Sequence, residues 1–118
     1  MSAFGDAAYK SASDAKVKAE QSLQAAKAKL KDAQNQMAED RATAAREYAI
    51  YGEISAQKTR GEVTQKQYDD ALHNYQFASD SVSSDGVWLK SAENELRKAQ
   101  DDYNEAFANW RQAVQMFE

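Results

Sequence analysis

Large apolar residues recur at every seventh position through the second half of the chain: Tyr68, Tyr75, Val82, Leu89, Leu96, Tyr103, Trp110 and Phe117. Three residues after each of the first seven stand Ala71, Ala78, Asp85, Ala92, Ala99, Ala106 and Ala113. This is an a/d heptad ladder, bulky at a and small at d, broken once by an acid. The first half follows the same rule less strictly. Its a positions are Tyr9, Lys16, Leu23, Leu30, Met37, Ala44 and Tyr51, and its d positions are Ala12, Ala19, Ala26, Ala33, Asp40, Glu47 and Ile54. Two ladders of similar length around one turn predict an all-α fold, a long antiparallel two-helix coiled-coil hairpin with an Ala-rich seam. The expected single hairpin has arm one at about 3–59, a tip at 60–63 and arm two at about 64–117. Each arm is about 55 residues, which gives a rod of roughly 80 Å at ~1.5 Å per residue.

The register follows from requiring bulk to face alanine. In an antiparallel pair a positions meet d positions, and paired residue numbers summing to about 122 give layers such as Leu30/Ala92, Ala26/Leu96, Leu23/Ala99 and Tyr51/Ala71. The same register places Lys27 near Glu93 and Lys29 near Glu95, and it puts the fold-back at Gly61.

The stretch KTRGEVTQKQYDDA at 58–71 carries the local chemistry that a fold-back needs. Gly61 suits the left-handed residue that ends a helix, with Lys58 and Arg60 in the last turn against the negative end of its dipole. Thr64 and Gln67 form a capping box for the returning helix, and Val63 with Tyr68 can form its hydrophobic staple. One zone is weak. Asp40/Val82, Met37/Asp85, Glu47/Tyr75 and Ala44/Ala78 put polar or small residues in the seam, beside the poor helix former SVSSDG at 81–86. Because the heptad phase survives from Val82 to Leu89, a continuous but kinked or frayed helix is expected there, and the alternative is a break at Ser83–Gly86 that would give three helices.

Composition narrows the function classes. The chain has 118 residues, no proline and four glycines, and 42% of it is hydrophobic. Alanine is the largest share of that fraction while Leu and Ile are few, so a thin seam is affordable and a thick core is not. The net charge of −4 argues against nucleic-acid binding. Residues 1–60 carry ten Lys/Arg against eight Asp/Glu, and 61–118 carry five against eleven, which favours pairing of the halves. There is no cysteine, no signal-peptide h-region in MSAFGDAAYK and no apolar run of spanning length. Membrane insertion is therefore not expected. The chain as written reads as soluble, either cytoplasmic or exported by a route without a classical signal peptide.

Candidate chemistry is sparse. His73 falls at an outward f position, and no metal, phosphate-loop or nucleophile motif is present. The acidic pairs Glu39-Asp40, Asp69-Asp70 and Asp101-Asp102 are helix neighbours pointing about 100° apart, so they cannot converge on one ion. No catalytic, cofactor or metal residue is assigned, and no enzyme is expected. Ile50, Phe77, Val87 and Trp88 lie off the narrow seam, at g, c, f and g. Several exposed apolar residues on a thin rod suggest a partner helix, a third segment or a second copy.

Gly61-Glu62-Val63-Thr64, followed by Tyr68-Asp69-Asp70-Ala71 and by Ala78, resembles the α-hairpin tip of bacterial membrane-fusion (periplasmic adaptor) proteins. The resemblance covers about 20 residues, and it implies a hairpin whose tip docks end-on against an outer-membrane channel, with Thr64 at the tip hydroxyl position. Gln57 and Glu53 stand where that family carries Leu and Arg. The long Ala-rich hairpin also looks like bacteriocin receptor-binding rods and small helical secretion substrates. The expectation is a non-enzymatic structural, assembly or binding protein of a bacterial envelope, secretion or filament-like system. It would act on a protein partner or on itself through helix–helix contacts. A channel-docking adaptor tip and a small helical inhibitor are the alternatives.

Overall fold

A computed structural model describes residues 3–117, with side chains described for 5–116. It is an all-α helical hairpin of two helices, α1 (Ala3–Thr59) and α2 (Gln65–Phe117), joined by residues 60–64. Among the described side chains none at the a and d positions is exposed, so the heptad pattern names the buried face throughout. Phe117, the last rung of the expected ladder, has its side chain outside the described residues. The buried apolar set is mostly alanine: Ala26, Ala33, Ala71, Ala78, Ala92, Ala99 and Ala113, with Leu23 and Met37. Bulky a residues such as Leu30, Leu89 and Leu96 are half-buried beside them. Small d residues let the backbones approach, and the large side chains then lie across the seam rather than inside a core.

The chain divides into two compact units, residues 1–31 with 91–118 and residues 32–90. In the first, Leu23, Ala26 and Ala99 form one buried cluster with Leu96 and Tyr103 packed against it. These are the neighbours that the expected register requires, since a slip of one heptad would bring Ala92 or Ala106 to Leu23. Lys29 reaches Glu95 at 2.9 Å, as the register implied. The Lys27–Glu93 pair does not form among the described residues. Lys27 lines a groove with Glu20, Gln100 and Tyr103 instead. A cysteine pair tests this register, because the native chain has none. Leu30→Cys with Ala92→Cys is expected to crosslink rapidly on mild oxidation, and Leu30→Cys with Ala99→Cys is not. The reverse ranking on a non-reducing gel would overturn the register.

In the second unit the turn is built as its residues dictate. Gly61 has φ 75°, its N–H donates to the Lys58 carbonyl at 3.0 Å, and the Glu62 N–H donates to the Gln57 carbonyl at 2.9 Å. That pair of bonds is a Schellman motif closing α1. The Gln67 N–H donates to Thr64 Oγ1 at 3.1 Å, and the Thr64 N–H donates back to Gln67 Oε1 at 2.8 Å. The capping box is reciprocal, so two otherwise unpaired donors of α2 are satisfied. Val63 and Tyr68 are both half-buried.

The helix is continuous through 81–86 and the alternative break at Ser83–Gly86 does not occur: α2 is one unbroken α-helix from Gln65 to Phe117. Val82 and Leu89 keep the heptad phase, so seam packing overrides low propensity. Ser81 Oγ and Ser83 Oγ donate to the carbonyls of Phe77 and Ser79, at 3.1 and 3.4 Å, which satisfies the hydroxyls without leaving the helix. Two glycines of this unit, Gly86 and Gly61, therefore differ in kind. A methyl at Gly86 would meet Met37 Cε at 3.8 Å, an ordinary contact, and the backbone there is helical. Gly86→Ala is expected to stabilise by about 0.5–1 kcal/mol. Gly61→Ala meets no atom within 4 Å but must hold a positive φ, and it is expected to cost about 1 kcal/mol. Chemical denaturation of the two variants checks the opposite signs.

Candidate interaction surface

The side chains of the turn are taken up by structure. Arg60 binds Glu62 through two bonds, Nε to Oε1 at 2.8 Å and Nη2 to Oε2 at 3.1 Å. This corrects the expectation that Arg60 faces the α1 carbonyls. The Glu62 hydrogen bond also raises the guanidinium pKa above its usual value. Lys58 remains in the last turn of α1, half-buried. Gly61 and Thr64 are exposed, and the Thr64 hydroxyl is engaged by its cap.

Behind the turn lies a tyrosine cluster. Tyr51 stacks on Tyr75 with centroids 5.8 Å apart, and its hydroxyl lies 3.0 Å from that of Tyr68. The Tyr68 hydrogen bond, with burial second, raises the Tyr51 pKa above the usual phenol value. Tyr48 closes on Tyr75 at 5.2 Å although its side chain is 60% exposed. Sequence reasoning passed over Tyr48. Its e position, one step outside the ladder, was the available signal.

A second residue was underread. Lys16 occupies an a position, where a cation in a seam is costly unless its charge finds a partner. Its Nζ lies 4.8 Å from the Trp110 ring centroid, 5.9 Å from that of Phe107, and 3.0 Å from Glu20 Oε1. The stem lies along the seam while the ammonium rests on aromatic faces and a carboxylate.

The weak zone holds an acid pair. Asp85 is buried at d with its Oδ2 lacking a hydrogen-bond partner, and its carboxyl bonds with that of Asp40. Two carboxyl groups can bond only if one carries a proton. The bond to Asp40, burial and the Asp40 charge all raise the Asp85 pKa above the ordinary carboxylate value. The expected layer facing Asp85 was Met37, and Met37 does lie at this level, with its Cε 3.8 Å from where a methyl on Gly86 would stand. Asp40, about one turn further along α1, supplies the carboxyl that meets Asp85.

The four residues proposed for partner contact are all exposed: Val87 at 74%, Phe77 at 71%, Ile50 at 42% and Trp88 at 36%. Phe77 and Trp88 are eleven residues apart on α2, which returns nearly to the same helix face. Phe77 lines a groove with Asp40, Thr43, Glu47, Asn74 and Ser81. Val87, Trp88 and Ile50 do not line it, so the four do not form one pocket. His73 is exposed. No group of three His, Cys, Asp or Glu among the described residues could hold a metal ion, and no described helix is long and apolar enough to cross a membrane. Comparison with protein-family models, with curated proteins and with solved structures finds no match.

Proposed function

We propose that this protein is a non-enzymatic helical-hairpin assembly or binding protein that works through helix–helix contacts, in a bacterial envelope, secretion or filament-like system. The observation that carries this reading is the exposure of Phe77, Val87, Trp88 and Ile50 on a two-helix scaffold. The seam consumes its own a and d residues, so these four are surplus to the fold. Large exposed apolar side chains on a thin scaffold are accounted for by a partner helix. Sedimentation over a wide concentration range, alone and with amphipathic helical peptides, tests it. The expected result is self-association or complex formation that Val87→Ser with Trp88→Ser weakens. A folded monomer at every concentration that binds no helix would overturn the reading.

A second reading places contact at the turn, supported by the exposure of Arg60, Gly61 and Thr64 there and by the adaptor-like sequence. Thr64→Asp is an informative probe, because aspartate also caps helices and the fold should survive. If that change combined with charge reversal at Lys58 and Arg60 leaves binding to an outer-membrane channel intact, the tip is not the docking element.

A further inference from the structure

We propose that the groove between α1 and α2 at Phe77 receives a helix of a second protein that carries two cations seven residues apart with aliphatic residues between them. This rests on the helix-binding reading above and gives it a place and a chemistry. The groove measures about 360 Å³ and is lined by Asp40, Thr43 and Glu47 from α1 and by Asn74, Phe77 and Ser81 from α2. Ala78 contributes its apolar floor, and the Phe77 ring stands 71% exposed at its edge. No basic residue lines it, and neither Asp40 nor Glu47 joins an ion pair among the described residues. Beside Asp40, the buried Asp85 adds a further carboxyl whose Oδ2 has no hydrogen-bond partner.

Charge selects the occupant. Residues 32–90 hold six Lys/Arg and ten Asp/Glu, which accounts for the whole net charge of −4. A second copy seated symmetrically on this face would set carboxylates against carboxylates, and nucleic acid or an anionic lipid surface meets the same repulsion. A cationic helix meets none. Asp40 and Glu47 are two turns apart on α1, roughly 10.5 Å. A helix laid alongside α1 would match them with Lys or Arg at i and i+7, and its i+3 and i+4 side chains would cover Ala78 and Phe77.

Calorimetric titration with a synthetic Ala-based helix of about 18 residues, long enough to be helical alone, tests the assignment. The probe carries Lys at i and i+7 and Leu at i+3 and i+4, and its control has Glu for both Lys. The expected result is saturable one-to-one binding that weakens about tenfold in the Asp40→Asn, Glu47→Gln double variant. Phe77→Ala should weaken it about threefold or more, and the Glu control should bind at least about tenfold less tightly. Circular dichroism confirms that each variant is folded. The proposal is overturned if the Lys peptide does not bind, if both peptides bind alike, or if the groove variants bind as the unaltered protein does. Binding lost in Trp88→Ser but kept in Phe77→Ala would also overturn the groove, while leaving the broader helix-binding reading in place.

Discussion

Ala92→Phe is expected to lower the thermal midpoint by roughly 4–12 °C, whereas Ala25→Phe on the same scaffold should shift it by less than about 2 °C. Ala92 is at 0% exposure at a d position of the seam, and Ala25 is exposed. A ring at position 92 has no void to enter. It must either push α1 and α2 apart locally or force neighbours off their rotamers, which typically costs about 1–3 kcal/mol. Separation of the helices also strips contact from the half-buried leucines on either side, so the effect spreads along the seam rather than staying at one layer. At position 25 the same ring enters water and costs little beyond a slightly poorer helix propensity. Melting followed by circular dichroism measures both. Equal shifts would mean that alanine at d is tolerated rather than required, and the close-packed seam would be wrong.

The seam was legible because it is repetitive. A heptad pattern commits dozens of positions at once, and one glycine in the middle then fixes where the chain reverses, so Leu23, Ala26, Leu96 and Ala99 could be brought together on paper. The turn was legible for a different reason. Gly61, Thr64 and Gln67 are satisfied by bonds within a few residues, so nothing distant can alter them. What was misread depended on choices among near-equal partners. Arg60 could face carbonyls or Glu62, and a carboxylate two residues away won. Lys27 could reach Glu93 or turn toward Gln100, and exposed pairs are worth too little to fix such an outcome from sequence. The continuity of the helix through 83–86 was legible because Val82 and Leu89 keep the heptad phase across it, and only the alternative of a break, which rested on local propensity, fails. The groove at Phe77 could not be seen at all in a heptad diagram, since it joins a c residue of one helix to d and g residues of the other.

Asp85→Asn is expected to raise the thermal midpoint by several degrees at pH 7.5 and to do progressively less as pH falls toward 4. The folded protein holds the Asp85 proton more tightly than the unfolded chain does, because Asp40 accepts its hydrogen bond and the site is shielded from water. A raised folded-state pKa means that this stabilising contribution is complete below the ordinary aspartate value near ~3.9 and is lost as pH rises through the raised one. As pH rises through that raised value, Asp85 becomes a carboxylate beside Asp40, at a position where the rest of the ladder places alanine. Asparagine keeps a donor for Asp40 and cannot ionise, so it retains the low-pH arrangement at every pH. Every other titrating group is common to both proteins, so the informative quantity is the difference between variant and unaltered chain, measured by denaturation from pH 4 to 8. That difference should grow with pH and level off once Asp85 has ionised. A difference constant across the range would show that no proton is shared between Asp40 and Asp85.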